Sequence, residues 1–301
     1  MTELLTTLSQ ALVNTVEMAG PGVVRVEARN RLPASGIVWS DDGVIVTANH
    51  VVERDGDIRV GLPDRQTASA QLVGRDPGTD LAALRVRVSA KNLTAPAWAA
   101  PEMMQVGALA LALGRPGEKV LATLGILSAL DEAWRTPTGG QIDHYLQTDA
   151  VMYPGFSGGP LVDTEHRVLG LNTSALVQGF SLSIPAPTVR RTVEALLTHG
   201  RVRRGYLGIG AQPVHLSEAI GQQVGQETGL LLMMVEPRSP AEKGGLLLGD
   251  ILISLDGQSL SEMGDLLALL SDGRVGGAVP IRIVRGGELR DVRVTIGERG
   301  A

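Results

Sequence analysis

The sequence contains no cysteine and few aromatic residues. Phenylalanine, tryptophan and tyrosine together make up 3% of its 301 residues. The lack of cysteine excludes disulfide bonds, thiolate zinc sites and cysteine nucleophiles. The low aromatic content means that aliphatic side chains must fill the cores, and the 38 glycines must form many of the turns. A cysteine-free composition fits a reducing compartment but does not exclude an exported bacterial protein.

Long apolar runs and long basic runs are also missing. No segment approaches the roughly 20 apolar residues that a membrane-spanning helix requires. The formal net charge is −5 and there is no extended Lys/Arg run, which argues against nucleic-acid binding. Residues 1–20 lack the basic segment and the uninterrupted apolar stretch of a signal peptide, because Glu3 and Glu17 interrupt them. We therefore expect a cytoplasmic protein, or a periplasmic or exported one if a leader is missing from this chain.

The hydrophobic pattern divides the chain into several parts. Apolar residues at helical spacing predict an amphipathic helix over residues 2–18. From Val23 onward, short β-rich runs alternate with turn signals, as in barrels and sandwiches. A turn-rich stretch near residues 90–103 separates two all-β units, and a short helix at 187–199 follows the second. The predicted domains are an N-terminal helix (1–22), a double all-β unit (23–199), a basic hinge (200–204) and a small α+β module (205–301).

The strongest chemical signal is the stretch Gly155-Phe156-Ser157-Gly158-Gly159-Pro160. Small residues around a serine let a substrate backbone approach its hydroxyl. Glycine at position 155 permits dihedrals that turn its N–H and that of Ser157 toward one point, as in an oxyanion hole. The alternative is a glycine-rich turn that carries a serine by chance.

Two upstream residues complete a catalytic arrangement. His50 follows an apolar strand and Asp80 lies 30 residues later, which gives the chain order His, Asp, Ser. A serine hydroxyl becomes an effective nucleophile when an imidazole accepts its proton and a carboxylate fixes the imidazole tautomer. Singly, His50 is explained as a core histidine and Asp80 as a turn-capping carboxylate. Jointly, beside the glycine-rich serine stretch, they indicate catalysis.

These segments resemble the HtrA/Deg family of trypsin-like serine proteases. The resemblance rests on Thr47–Val52, Gly74–Ala82 and Gln147–Leu161, continues through Leu113–Gly117, Leu124–Ser128 and Gly170–Thr173, and covers nearly the whole chain. It implies a mainly β fold, in which a chymotrypsin/trypsin-like double β-barrel carries the active site in the cleft between its barrels.

The resemblance also implies a role for each matching residue. His50 matches the general base, Asp80 the orienting acid and Ser157 the nucleophile, and Asp76 is the rival carboxylate. Gly155, Phe156 and Ser157 match the oxyanion hole of the family. The family usually has Asn before the serine, and this chain has Phe156 there. Its backbone still joins the two donors, but its ring is expected either to reshape the cleft mouth or to hold the oxyanion loop in one state.

The primary substrate pocket is less clearly marked. We expect its walls to come from Val151, Met152, Tyr153, Thr173, Ser174 and Ala175. The nearest acidic residue is Asp149, slightly upstream. Apolar walls favour a small or medium aliphatic side chain before the scissile bond, although each methylene changes the discrimination by only roughly 1–3 kcal/mol.

The C-terminal module resembles an HtrA-type PDZ domain. The similarity lies in Arg204–Gly210, Ser239–Leu246 and Gly249–Ile253. Successive N–H groups can hold the terminal carboxylate of a peptide, and the following strand, 209–214, offers an edge for an added strand. A helix at 261–271 would form the other wall of the groove. The assigned peptide-binding residues are Tyr206, Leu207, Gly208 and Ile209; the alternative is a strand and helix that merely pack together.

The sequence therefore predicts an ATP-independent serine endopeptidase that degrades unfolded or damaged polypeptides and needs no cofactor. The expected partners are unfolded substrates and C-terminal peptides at the PDZ groove, and the resemblance implies a homotrimer. The remaining histidines have no metal-ligand spacing, so no metal is expected. The alternative function is a catalytically silent peptide-binding or chaperone scaffold in which Phe156 keeps the oxyanion loop collapsed.

Overall fold

The structure, a computed structural model, describes residues 2–87, 93–177, 179–203, 205–270 and 274–298. The chain divides into two units, Met1–Val202 and Arg203–Ala301. Arg204 of the predicted hinge, position 271 of the predicted groove helix and the predicted domain end at 299–301 lie outside the described residues.

The first unit begins with the helix α1, Thr2–Ala19, which a short 3-10 turn follows. The helix is amphipathic, and its two halves differ in packing. Leu12 and Val16 pack against the core of the unit. Leu4 and Leu5, about two turns before Leu12, are 71% and 62% exposed. The apolar stripe therefore contacts the body through its C-terminal half and continues onto an exposed N-terminal half.

The first barrel follows α1 and consists of antiparallel strands. They are β1 (Val23–Glu27), β2 (Ala34–Ser40), β3 (Val44–Ala48), β4 (Ile58–Gly61), β5 (Thr67–Asp76) and β6 (Leu81–Val86). The strand order is β1-β2-β3-β6-β5-β4, and pairing of β1 with β4 closes the sheet. Closure leaves the strands of the barrel without a free edge. The interior is aliphatic, as the shortage of aromatic residues requires.

The second barrel is built in the same way. Its segments are β7 (Leu109–Gly114), β8 (Leu121–Asp131), a small hairpin of β9 (Trp134–Arg135) and β10 (Gln141–Ile142), β11 (Tyr145–Thr148), β12 (Pro160–Val162), β13 (Val168–Thr173) and β14 (Leu182–Pro185). The strand order is β11-β14-β13-β12-β7-β8, and β8 pairs with β11 to close it. A helix, α2 (Ala186–His199), then packs on strands of both barrels. The predicted double-barrel fold is confirmed.

The second unit contains a six-strand antiparallel sheet, a separate two-strand pair and short helices. Its segments are β15 (Gly205–Tyr206), β16 (Ile209–His215), α3 (Glu218–Val224), β17 (Thr228–Val235), α4 (Pro240–Lys243), β18 (Ile251–Leu255), β19 (Gln258–Ser259), α5 (Met263–Leu269), β20 (Ala278–Arg285), β21 (Glu288–Thr295) and β22 (Gly297–Glu298). The order β16-β17-β18-β20-β21 leaves β16 at an edge. The apolar face of α5 is buried through Leu266 and Leu269. The sequence pattern does not predict α3, because none of its residues is buried.

No helix in the described ranges has the length and apolarity needed to cross a membrane.

Candidate active site

His50 lies on a short 3-10 turn, Asn49–Val51, immediately after β3. Asp80 anchors this turn, because the backbone N–H of Asn49 donates to the Asp80 carbonyl at 2.9 Å. The backbone N–H of His50 donates to Asp80 Oδ1, also at 2.9 Å. The imidazole itself is 25% exposed, so its ring can be reached from solvent.

The Asp80 carboxylate also contacts the ring of His50. Asp80 Oδ2 lies 2.8 Å from His50 Nδ1 and accepts a second hydrogen bond from the Thr173 hydroxyl at 2.5 Å. Asp80 is buried and has a positive φ of 58° just before β6. A neutral imidazole that donates from Nδ1 to this carboxylate leaves Nε2 free to accept a proton.

Asp76, the rival carboxylate, has a different environment. Its side chain accepts the backbone N–H groups of Gly78 and Thr79 and the Thr79 hydroxyl, all within 3.1 Å. These contacts cap the tight turn that precedes Asp80, which is an ordinary structural role for a buried aspartate. The geometry therefore places Asp80, and not Asp76, beside the imidazole.

Ser157 follows a tight turn of Tyr153-Pro154-Gly155-Phe156. The Phe156 N–H donates to the Tyr153 carbonyl at 3.0 Å. Proline at the second position and Gly155 at the third, with φ of 94°, match a type II turn. Among hydrogen bonds between described residues, the N–H groups of Gly155 and Ser157 donate to no protein acceptor. Both donors remain available for a ligand oxygen.

The hydroxyl of Ser157 lies beside Ser174. The Oγ atoms of the two serines are 3.3 Å apart, and the described residues contain no hydrogen bond between Ser157 and His50. Ser174 directly follows Thr173, whose hydroxyl contacts Asp80. Thr173 and the next residue, Ser174, thus contact the predicted acid and the predicted nucleophile, respectively.

The Phe156 ring lies in the core of the second barrel. It has 0% exposure and belongs to an apolar cluster that includes Ala112, Leu146 and Leu161. It also makes an edge-on contact with the Tyr153 ring, with centroids 6.0 Å apart. Because the ring points into the barrel, it does not line the mouth of the cleft.

The residues predicted to line the pocket have different surroundings. Val151, Tyr153, Ser174 and Ala175 are exposed and Met152 is half-buried. Thr173 is buried, and its hydroxyl is used by Asp80. Asp149 accepts the backbone N–H of Ile126 at 2.7 Å, which gives this carboxylate a structural role at the edge of β8.

The predicted peptide-binding loop of the second unit, Tyr206–Ile209, is anchored at several points. The carbonyl of Leu207 accepts the N–H of Ala241 at 2.9 Å, and that of Gly208 accepts the N–H of Glu236 at 2.8 Å. The Tyr206 hydroxyl donates to the Glu236 carboxylate. The loop leads directly into the edge strand β16, which contacts α5. Among the described residues there is no group of three or more side chains suited to hold a metal ion.

Two family models match the chain: a trypsin-like peptidase domain over residues 34–171 and a PDZ domain over residues 205–296. A serine endoprotease from Yersinia pestis has 31% sequence identity, a TM-score of 0.78, and coverage of 94% of this chain and 96% of its own. The HtrA-type protease AlgW with a bound tripeptide has 31% identity, a TM-score of 0.76, and coverage of 96% and 97%. The chain belongs to the HtrA/DegP family.

Curated members of the HtrA/DegP family match over most of this chain. A probable periplasmic serine endoprotease of Chlamydia muridarum is 33% identical over 90% of the chain, and one of Halomonas elongata is 35% identical over 92%. The chain spans 55% and 59% of the length of these two relatives. Protease Do-like 1, chloroplastic, of Arabidopsis thaliana is 35% identical over 87% of the chain.

The relatives correct one expectation. The sequence composition and the first twenty residues favour a cytoplasmic protein, yet HtrA/DegP relatives from Chlamydia, Halomonas and Pseudomonas are named periplasmic. The expectation of a cytoplasmic location is therefore wrong. Absence of cysteine is weak evidence about location, because exported proteins do not all require disulfides.

Sequence reasoning also missed one residue that contacts the loop before Ser157. Ser35, on β2, donates through its hydroxyl to the Gly155 carbonyl at 2.7 Å. Its position in Ala34-Ser35-Gly36 is an ordinary strand position, and the contact joins residues 120 positions apart. Local pattern contains no signal for such a distant pairing.

Proposed function

We propose that the protein is a serine endopeptidase that cleaves unfolded or damaged polypeptides without ATP, metal or another cofactor. The observation that carries the proposal is the contact of Asp80 with His50 Nδ1 at 2.8 Å. In the loop of residues 153–159 (the serine loop), the N–H groups of Gly155 and Ser157 donate to no acceptor among the described residues. Membership of the HtrA/DegP family supports the same reaction.

In the proposed reaction, Ser157 Oγ attacks the carbonyl carbon of the scissile peptide bond while His50 Nε2 takes its proton. The tetrahedral oxyanion is held by the N–H groups of Gly155 and Ser157. When the intermediate collapses, the C–N bond breaks and the leaving amine takes the proton from His50. Water then attacks the acyl-enzyme by the same route and releases the second product. Asp80 keeps the imidazole in the required tautomer throughout.

The primary pocket is proposed to bind a small or medium aliphatic side chain. Val151 and Ala175 are apolar and exposed near the serine loop. Asp149 is occupied by the backbone of Ile126, so it is not expected to select a basic side chain. Cleavage of a denatured protein, followed by mapping of the new termini by mass spectrometry, tests this. Cleavage mainly after lysine or arginine would contradict it.

The second unit is proposed to bind C-terminal peptides. Leu207 and Gly208 lie in a loop that several buried contacts hold in place, and the edge strand β16 begins one residue later. An extended peptide can add to this edge while its terminal carboxylate contacts the N–H groups of the loop. Such binding would recruit chain ends or regulate cleavage.

We also infer a periplasmic location and a homotrimer. The periplasmic names of relatives support the first, and the exposed apolar residues Leu4, Leu5 and Leu8 on α1 provide a surface for the second. Fractionation of cells that express the full-length protein tests the location; recovery in the cytoplasm alone would contradict it. Light scattering behind size exclusion tests the trimer, and a monomer at micromolar concentration would contradict it.

A fluorophosphonate probe tests the catalytic proposal. We expect labelling of the wild type and cleavage of an unfolded casein-like substrate, and loss of both in Ser157→Ala. His50→Ala should lose them as well, whereas His215→Ala, in the other unit, should retain them. If the wild type is neither labelled nor active, even with C-terminal peptides added, the enzyme proposal fails.

One observation favours a second candidate function. The Ser157 hydroxyl contacts Ser174 and not His50, an arrangement compatible with a catalytically silent peptide-binding or chaperone scaffold. The two candidates separate in one assay. If the protein is a scaffold, the wild type and Ser157→Ala suppress the aggregation of a denatured protein equally well. Both then leave the denatured protein uncleaved.

A further inference from the structure

We propose that Ser35 is a positioning residue for the oxyanion hole, and that it holds the two donor residues at their working separation. This inference rests on the proposed peptidase function. Ser35 belongs to β2 of the first barrel, whereas Gly155 and Ser157 belong to a loop of the second. The side chain therefore acts across the boundary between the barrels.

Ser35 is hydrogen-bonded to both residues whose N–H groups would stabilise the oxyanion. Its hydroxyl donates to the Gly155 carbonyl at 2.7 Å, and its backbone N–H donates to the Ser157 carbonyl at 3.1 Å. One residue thus holds the carbonyls of both donor residues. No other described residue has this pair of contacts.

The hydroxyl of Ser35 is itself oriented by a third segment. The backbone N–H of Arg115, just after β7, donates to Ser35 Oγ at 2.7 Å. Because a hydroxyl has a single proton, acceptance from Arg115 leaves that proton for Gly155. Ser35 is completely buried, so water does not readily replace these bonds. The backbone of Ser35 is also fixed, since its carbonyl accepts the Thr47 hydroxyl at 2.7 Å.

The peptide group between Gly155 and Phe156 is hydrogen-bonded through both its carbonyl and its N–H. Ser35 holds its carbonyl, and the Tyr153 carbonyl accepts its N–H at 3.0 Å. The next peptide group, which carries the Ser157 N–H, is held by the bond from the Gly159 N–H to the Phe156 carbonyl at 2.9 Å. Loss of the Ser35 hydroxyl would remove the hydrogen bond to the Gly155 carbonyl. The bond from the Gly159 N–H to the Phe156 carbonyl would remain. The separation of the two donors would then vary.

A change in donor separation should affect the transition state and not substrate binding. Donors stabilise a developing oxyanion only when they are already placed where it forms, and a displacement of about 1 Å can reduce the rate by about 100-fold. We therefore expect Ser35→Ala to lower kcat by about 10- to 100-fold and to change KM by less than about 2-fold.

A peptide aldehyde provides the readout that a purely structural role would not affect. Its adduct with Ser157 is a tetrahedral hemiacetal whose oxygen occupies the position of the oxyanion, so its inhibition constant should rise in Ser35→Ala in parallel with the fall of kcat/KM. Binding of a product peptide, which forms no adduct, should remain unchanged. An equal loss for both ligands, or no loss for either, would overturn the proposal.

Thr188→Val is the matched control. The Thr188 hydroxyl is also completely buried, accepts one backbone N–H and donates to one oxygen, both in Asp143 at 2.8 Å. It lies in the first turn of α2, on a different segment of the chain from the loop around Ser157. We expect this variant to lose stability comparably and to retain kcat. If it loses as much kcat as Ser35→Ala, the effect is general destabilisation and the proposal fails.

Hydrogen exchange separates this inference from the proposed function, because it needs no activity. In Ser35→Ala the amides of Phe156, Gly158 and Gly159 should exchange faster than in the wild type, whereas in Thr188→Val they should not. An inactive wild type would refute the peptidase proposal. Amide hydrogen exchange would still show whether Ser35 holds the loop around Ser157 in place. If Ser35→Ala does not fold, Ser35→Cys retains the volume with a weaker donor, and unchanged exchange in it overturns the proposal.

Discussion

Asp80 holds both the backbone and the ring of His50. One carboxylate oxygen accepts the His50 backbone N–H at 2.9 Å, and the other lies 2.8 Å from Nδ1. The same oxygen accepts the Thr173 hydroxyl, so a single buried group joins β6, the turn after β3 and the end of β13. The position of the imidazole is therefore set by contacts from both barrels.

Replacement of Asp80 tests this arrangement. Asp80→Asn removes the acceptor that fixes the Nδ1–H tautomer, and we expect kcat to fall by about 10,000-fold while the protein remains folded. Asp76→Asn is the control, because it loosens the preceding turn without touching His50. It should lower the melting temperature and keep most of the activity. Similar losses of kcat in the two variants would contradict the assignment of Asp80.

The Thr173 hydroxyl should contribute through Asp80. Thr173→Val keeps the shape of the side chain and removes the hydrogen bond of 2.5 Å, so we expect kcat/KM to fall by about 10-fold. Thr173→Ser retains the hydroxyl and should remain near the wild-type value. Steady-state kinetics on one peptide substrate decides this, and equal activity of the Val and Ser variants would refute the role.

The Phe156 ring should contribute to the stability of the fold, although the family usually has Asn at this position. Its ring has 0% exposure, so Phe156→Ala leaves a cavity and should cost about 3–5 kcal/mol of unfolding free energy. The ring of Phe180 is 51% exposed, and Phe180→Ala should cost less than about 0.5 kcal/mol. Urea titrations of the two variants measure the difference. Equal costs would show that the Phe156 ring is not a core residue.

A methyl group at Gly158 should be incompatible with the serine loop. A Cβ at this position would lie 2.1 Å from the Ser35 carbonyl oxygen, and the backbone has a φ of 87°. Gly139 has a similar φ of 82° with nothing within 4 Å of the corresponding position. We expect Gly158→Ala to abolish probe labelling and Gly139→Ala to retain it. Retention by both variants would mean that the barrels separate more easily than these contacts imply.

Binding by the second unit should depend on a free carboxylate. We expect a peptide with an apolar C-terminal residue to bind in fluorescence polarisation. Its C-terminal amide should bind at least about 10-fold more weakly, because it lacks the negative charge that the N–H groups of the loop would hold. Gly208 has a positive φ of 77°, and its Cβ would lie 2.3 Å from Ser239. Gly208→Ala should therefore reduce binding of the acid. Equal affinity of acid and amide would indicate a closed groove.

The features that the sequence predicts are those with local signals. The strand spacing predicts barrels or a sandwich, and the resemblance to the HtrA/Deg family implies the double barrel. The glycine-rich stretch around Ser157 marks a loop. The roles of Ser35 and Thr173 are not predicted, because their contacts join residues 120 and 93 positions apart and depend on how the barrels pack. Thr173 is assigned to the pocket from its chain position, and the structure places its hydroxyl on Asp80.

Phe156 illustrates the same limit from another direction. Its position before Ser157 suggests a ring near the substrate, since neighbours of a nucleophile often line the cleft. The direction of the ring is decided by the barrel beneath it, where Gly114 leaves space: a Cβ there would lie 2.7 Å from the Phe156 ring. A glycine 42 positions earlier in the chain thus admits the aromatic side chain, and no local pattern reveals this.

The scarcity of aromatic residues has a spectroscopic consequence. The three tryptophans of the chain are Trp39, Trp98 and Trp134, and all belong to the first unit. Trp39 and Trp98 have ring centroids 5.3 Å apart, and Trp134 lies 5.9 Å from the Tyr145 ring. Excitation at 295 nm would therefore report on the melting of residues up to Val202 alone, while circular dichroism follows both units. Comparison of the two signals would resolve the unfolding of each without cutting the chain.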